Sequence, residues 1–461
     1  MRRQWKNTSI SGNTLLRLTA LLLALLLWSG WTFAQGNSGT LLTTINNPTP
    51  AAYDIFGASV AALGSDRVIV GAAGALEAYL FSLSGTLLAI FTNPPGAGDF
   101  AASVAAVGSD RVLVGAYSYY VGAAQAGAAY LFNTNGALVT TFTNPSPATV
   151  QAFGWVVAGM GNDQVLIGTA GGAAYLYSTN GKLQTTFTNP AAGGGFGLSL
   201  AAVGSNQLLI GAPYNNTGAA ATGAAYLYST NGTLLTTFTN PTPVANDNFG
   251  TSVAAVGNDR LLISAIDYGG TGNGGAAYLY STNGTLLTTF TNPTPAAYDY
   301  FGWSVAAVGS TRVLIGAYQD GTGAFQAGSA YLFSTNGTLL ITITNPTPAS
   351  QTWFAWSVAA VGSDRVIIGG VWDNTGATRA GSAYLFALPY PPLNIAWNAA
   401  TVSLSWVTSE TGLILQQTEL LGTPTVWSDT TNSVSVNGLT NVVQQTIGSG
   451  ITNRYYRLHR P

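Results

Sequence analysis

The stretch FGTSVAAVGNDRLLI, residues 249–263, and its continuation GAAYLYSTNGTLLTTFTNPTP, residues 275–295, decide the fold. Ser252 to Val256 reads as a short strand that ends at Gly257-Asn258-Asp259-Arg260, and Leu261-Leu262-Ile263 reads as a second, buried one. Ala276 to Tyr280 is a third. Asn283-Gly284 then reads as a two-residue hairpin with positive φ at both positions, which makes Thr285 to Thr291 a fourth strand. Pro293 ends the pairing, because proline has no N–H to give a ladder.

Working outward, the same unit recurs with its leading phenylalanine at Phe56, Phe100, Phe153, Phe196, Phe249, Phe301 and Phe354. Seven copies at spacings of 43 to 53 residues, each with four short antiparallel strands, predict an all-β, seven-bladed β-propeller. The seventh copy stops after its third strand, Ser382 to Phe386. Before the first copy, Gly39-Thr40-Leu41-Leu42-Thr43-Thr44-Ile45-Asn46-Asn47 has the pattern of a fourth strand. The expectation is a ring closed by this N-terminal strand, with no open seam.

The FG starts, the Gly211-Ala212-Pro213 triplet and the repeated GAAYLY strand resemble the FG-GAP repeats of integrin α-subunit propellers and their bacterial, secreted relatives. The resemblance covers the propeller, residues 39–388, and implies extracellular recognition or adhesion. Many such repeats carry a run of closely spaced aspartates that binds calcium. Here each corresponding turn holds at most one acid, as at Asp66, Asp110, Asp163, Asp259 and Asp364. One carboxylate cannot supply the six to eight oxygens calcium takes, so no calcium is expected and these residues read as turn formers.

At the N-terminus, Arg2, Arg3 and Lys6 precede an apolar run from Leu18 to Trp31 and the exit Thr32-Phe33-Ala34. This is the form of a secretory signal peptide, residues 1–34, cut after Ala34. An uncleaved anchor is the alternative, but the run is shorter than the ~20 residues that span a bilayer. Cleavage leaves ten basic against sixteen acidic residues, a net charge of −6. No basic patch follows from that balance, so nucleic acid is not an expected partner. With no cysteine, the fold holds by packing alone.

After Pro389-Tyr390-Pro391-Pro392, a stiff spacer, residues 393–461 alternate in short apolar runs. They predict a small β-sandwich, and the Leu404-Ser405-Trp406 and Tyr455-Tyr456-Arg457-Leu458 segments are similar to immunoglobulin- or fibronectin-III-like modules of secreted bacterial proteins. A spacer or surface-attachment role is implied.

Catalytic chemistry is sparse. His459 is the only histidine and reads as a solvated tail residue, so a Ser-His-Asp triad and histidine metal sites are excluded from the ring. No cofactor is expected. Asp54, Asp247 and Asp299 each precede a repeat phenylalanine by two residues and read as loop caps. An asymmetric pair such as Asp267 and Asp320 keeps open a polysaccharide-active hydrolase or lyase.

Strand parity locates the variable loops. In a four-stranded antiparallel blade the one-two and three-four turns share one face, while the two-three loops and the blade-to-blade connections share the other. The first set is uniformly tight; the second varies in length, which makes it the candidate binding face. Its residues are Tyr117, Tyr119 and Tyr120 in blade two; Tyr214, Asn215 and Asn216 in blade four; Asp267 and Tyr268 in blade five; Tyr318, Gln319 and Asp320 in blade six; and Trp372, Asp373 and Asn374 in blade seven. Aromatics beside amides suit a sugar or a protein partner, and they equally suit packing between neighbouring loops. The expected protein is a secreted or cell-surface, monomeric recognition module for an extracellular protein or polysaccharide; a purely structural matrix component is a further alternative.

Overall fold

The computed structural model describes residues 39–461 except 96–97, 119, 122–123, 147–151, 192, 217–218, 268–273, 390–393, 398–400, 408–413, 419–427, 431–433, 438–439, 447–454 and 460–461. The expected signal peptide and the spacer beyond Pro389 therefore lie outside the described residues. Among the described residues there is no helix, and the repeats form seven four-stranded antiparallel sheets. The protein is an all-β, seven-bladed propeller.

Blade five shows the pattern: Val253–Val256, Arg260–Ala265, Ala276–Ser281 and Leu286–Thr291 in sequential order. Its second strand is buried at every position after Arg260, because both faces of each sheet meet a neighbouring blade. The outer strand buries only Phe290 and leaves Leu286 and Leu287 exposed. Phe249 packs on Tyr278 and, edge-on, on Tyr280, with ring centroids 5.8 and 6.3 Å apart. This is why the leading phenylalanine and the Tyr-Leu-Tyr strand recur together.

The first strands of neighbouring blades touch one another all the way round, so they line the axis. Seven apolar clusters fill the junctions between consecutive blades, and the seventh joins Ile45, Val361, Ile367 and Leu385 to Phe56, Val68, Val70 and Phe81. The outer strand of the seventh sheet is Thr40–Asn46, antiparallel to Ser382–Ala387 with Ile45 opposite Ala383.

Polar contacts repeat at each junction. Arg67 donates to the carbonyl of Ser109 in the next blade at 2.8 Å, and Arg260 to that of Ser310 at 2.6 Å. Arg111 and Arg312 reach Asn162 and Ser363 in the same way. In blades one, two, five and six the arginine that opens the second strand is thus a strut between blades, and each of Asp66, Asp110, Asp259 and Asp364 pairs with the arginine that follows it.

The three-four turns differ from the sequence expectation. Gly284 alone takes positive φ, at 96°, while Asn283 does not. Gly284 N–H donates to Ser281 O at 3.0 Å, and the register slips between Leu279 and Tyr280. This is a type I turn followed by a left-handed glycine and a bulge rather than a type I′ turn. The reason lies in Asn283: its Oδ1 accepts from the N–H of Thr285 at 3.2 Å, which holds the asparagine in an ordinary turn conformation.

The C-terminal residues form two small sheets, one of Asn394–Trp397, Thr401–Val407, Ser435–Asn437 and Thr440–Thr446, the other of Ile414–Thr418, Ser428–Asp429 and Tyr455–His459. His459 therefore sits in a strand opposite Ile414, not in a loose tail.

Candidate functional site

Hydrogen bonding confirms how the loops divide between faces. Thr282 N–H of the three-four turn donates to Asp259 O of the one-two turn in the same blade at 2.9 Å, and Thr230 to Asn206 likewise. On the other face, connections bond to two-three loops: Tyr53 N–H to Thr378 O at 2.9 Å, Gln351 to Phe325 at 2.9 Å, and Trp372 to Thr352 at 3.1 Å.

Four connections are built on one cap. The Nδ2 of Asn47, Asn240 and Asn292 donates to the carboxylate of Asp54, Asp247 and Asp299 at 2.7, 2.7 and 2.8 Å, and a backbone N–H three residues before each acid adds a second bond. Blade seven uses Asn345 and Thr352 instead, at 2.9 Å, so a neutral acceptor suffices. Burial pushes Asp299 up to about 6, with the N–H of Ala296 opposing and the charge of Asp320 adding to the rise. An acid with a raised folded value stabilises most below its unfolded value and loses that advantage as pH rises. The Asp299 contribution should therefore be full below pH 3.8 and gone above about 6. Replacing Asp299→Asn should remove on the order of 1–2 kcal/mol of that pH dependence and raise the urea midpoint at pH 7; a lower midpoint at pH 7 would show that the charge itself is needed.

The residues expected to bind divide into several environments. Asn215 is buried and donates to the hydroxyl of Tyr226 at 2.8 Å; Asp320 and Asp373, also buried, accept from Tyr331 and Tyr384. These three hold the third strand of their blades. Asn216 and Asn374 accept from Ala221 and Arg379 N–H at 2.9 and 2.8 Å and shape their own loops. Tyr117 packs on Trp155, ring centroids 4.8 Å apart, and burial together with Asp99 raises its hydroxyl. Tyr214 is exposed in a short ribbon paired with Gly193–Gly194. Tyr120 lies in the short strand Tyr120–Val121. Tyr119 and Tyr268 lie outside the described residues.

Asp267 is buried beside Asp247, and the two line a cavity of about 590 Å³ with Tyr278, Thr242 and Leu286. Burial and then Asp267 raise Asp247, opposed by the N–H of Val244. Asp320 lies apart from them in the two-three loop of blade six, bonded to Tyr331 and Thr294.

Tyr318 and Trp372 are brought together. They belong to one aromatic column across blades six and seven, whose other members are Tyr300, Trp303, Trp353 and Trp356. Trp353 stacks on Trp356 at 7° between planes and on Trp372 at 21°. Tyr318 stacks on Tyr300 at 8° and meets Trp353 and Trp356 edge-on, with centroids 5.2 and 4.9 Å away. Trp303 touches Tyr318 and Trp356 at 4.9 and 4.7 Å. Arg379 caps the column, its Cζ 3.9 Å over Trp372 and 5.6 Å from the ring of Tyr53. Tyr53 and Tyr298, at 55% and 51% exposure, flank the two ends. Beside the rings, Gln351, Gln326 and Gln319 form an amide chain at 3.4 and 3.0 Å that ends on the hydroxyl of Tyr318 at 3.2 Å.

Most of the column escapes sequence reasoning based on loops. Trp303 and Trp356 stand two residues after the repeat phenylalanine, a position that Trp155 holds in blade three and Ala58, Ala102, Leu198 and Thr251 hold in the others. Tyr298, Tyr300 and Trp353 sit in the connections in left-handed conformation, φ 68°, 53° and 50°. Blade five places Asn246 and Asn248 in the same conformation, which asparagine tolerates better. Departure from the repeat at fixed positions was the available signal.

A family model described as FG-GAP repeat matches residues 237–280, 288–333 and 341–386. Each match runs from the outer strand of one blade, through the connection, to the third strand of the next. Among solved structures, the crystal structure of the WD40 β-propeller domain of Doa1 is similar at TM-score 0.51 and 14% identity, covering 76% of this chain and 97% of that one. That likeness concerns the fold alone. No curated protein matches the chain.

Proposed function

We propose that this FG-GAP-repeat propeller is a secreted or cell-surface recognition protein, monomeric and non-catalytic, which binds an extracellular protein or polysaccharide through the face made by its connections and two-three loops. FG-GAP propellers are typically binding or adhesion scaffolds. The observation that carries the reading is the aromatic column: six rings gathered at one side of the axis, with bulky residues held in left-handed backbone that costs of order 1–3 kcal/mol each. The connection into blade five holds Asn246 and Asn248 in the same backbone conformation. In this reading the N-terminal strand latches the ring, and residues 393–461 form a small sandwich that spaces or attaches the propeller. The buried pair Asp247 and Asp267 beside the cavity keeps a hydrolase or lyase as the second reading.

The lack of cysteine makes the faces separately addressable. Thr322→Cys on the connection face and Ser205→Cys on the turn face can each be coupled to a polyethylene glycol chain. Adhesion of protein-coated beads to extracellular polysaccharides and secreted proteins should be blocked by the first conjugate and untouched by the second. Equal blocking, or blocking by the Ser205→Cys conjugate alone, would refute the assignment of the face.

A further inference from the structure

We infer that the aromatic column of blades six and seven is a binding site for an uncharged polysaccharide chain; this rests on the connection face being the recognition face, and it adds the ligand class. Three observations carry it. The first is the column itself. Trp303, Trp353, Trp356 and Trp372 are each only half-buried, so a rigid, already packed apolar surface meets solvent where loops could have covered it. The solvent-facing parts of these packed rings offer apolar area to the C–H groups of a sugar chain without further loss of side-chain freedom.

The second is the chemistry of the border. Gln351, Gln326 and Gln319 give a line of amides, continued by the Tyr318 hydroxyl. Amides and hydroxyls both donate and accept, as every sugar hydroxyl does. Exposed Tyr53 and Tyr298 extend the surface beyond a single ring at either end, which suits a chain better than a monosaccharide.

The third is charge. Asp320 and Asp373 are buried and bonded to tyrosine hydroxyls, Asp299 is buried under its asparagine cap, and Arg379 is stacked on Trp372. The border thus offers uncharged groups and one arginine already occupied by an aromatic ring. A protein surface presents charged residues that need complementary charge at the rim, and an acidic polysaccharide needs open cations. An uncharged polyol needs neither.

The test is affinity electrophoresis and tryptophan fluorescence titration of the purified full-length chain with hydroxyethylcellulose, xylan, galactomannan and dextran, against alginate and polygalacturonate. At least one uncharged polymer should retard the chain and shift its tryptophan emission, with affinity unchanged from about 0.05 to about 0.5 M salt. Trp372→Ala and Gln326→Ala should weaken binding by at least about tenfold, and Trp155→Ala, in another part of the ring, should not. Gln326→Ala alters a side chain at the border only, so it reports on the site even where Trp372→Ala unfolds; thermal midpoints identify that case. Binding restricted to the acidic polymers, or no response to any uncharged one, overturns the ligand class. Uncharged binding that survives both variants overturns the site. Capture of a protein that Gln326→Ala abolishes, with no uncharged polymer bound, would overturn the glycan and leave the recognition face standing.

Discussion

A chain lacking residues 39–47 is expected to aggregate or to melt far below the intact protein. The segment supplies the outer strand of the seventh sheet, so its loss bares the edge of Ser382–Ala387, an apolar strand with free ladder groups. It takes Ile45 from the cluster between blades seven and one, worth about 1.5–3 kcal/mol, and removes the Asn47 amide from buried Asp54, worth about 1–3 kcal/mol. The bond from Thr43 Oγ1 to Leu83 O at 3.1 Å goes as well. The two quantified terms together come to about 2.5–6 kcal/mol, a large part of the stability of an ordinary domain. Ile45→Ala isolates the packing share and should cost about 2–4 kcal/mol. Thermal unfolding with size-exclusion chromatography reads both, and an unchanged melting temperature after the deletion would mean the ring does not need its N-terminal strand.

Gly381→Ala should have the largest effect of any single methyl group on the same junction. Gly381 has φ +84°, and a Cβ there would stand 2.1 Å from the carbonyl oxygen and 2.6 Å from the nitrogen of Phe56. Phe56 N–H donates to Ala380 O at 2.8 Å, so the clash falls on the hydrogen bond that docks blade one against blade seven. Left-handed strain of about 1 kcal/mol adds to the backbone displacement, and a total near 3–5 kcal/mol is expected in chemical denaturation. Gly321→Ala, where a Cβ meets nothing within 4 Å, is the control and should stay within about 0.5 kcal/mol. Comparable losses in the two variants would show that close approach is not what the repeat glycine provides.

Blade number and strand order were legible in the sequence because each rests on local chemistry repeated seven times. Phenylalanine, a buried Val/Leu/Ile triplet and Asn-Gly mark the same points in nearly every unit. The turn type was not legible, since an Asn-Gly pair fits two hairpin geometries, and the choice is made by where the Asn283 side chain finds its donors. The candidate site was half legible. Loop length pointed to the face and to Tyr318 and Trp372, but Asn215, Asp320 and Asp373 looked like ligand residues only because their tyrosine partners lie eleven positions away, across a loop. Trp303 and Trp356 were hidden for the opposite reason: one immediately precedes and the other lies inside an axial strand whose consensus suggests scaffold.

Each junction cluster involves two blades and no third, and the struts from Arg67, Arg111, Arg260 and Arg312 reach into the next blade, that of Arg312 also to Pro389 O at 3.1 Å. Cohesion is therefore passed from neighbour to neighbour, as in a closed loop of interchangeable links. Some links lie within the ring and on the turn face, others join the connections to the two-three loops, and the aromatic column lies on that second face in two blades. Changes in the connections of one or two units would thus alter the proposed binding surface while the apolar joints within the ring keep their chemistry. Near-identical units then act as a store of spare parts, and blades six and seven differ from the rest in the rings they bring together.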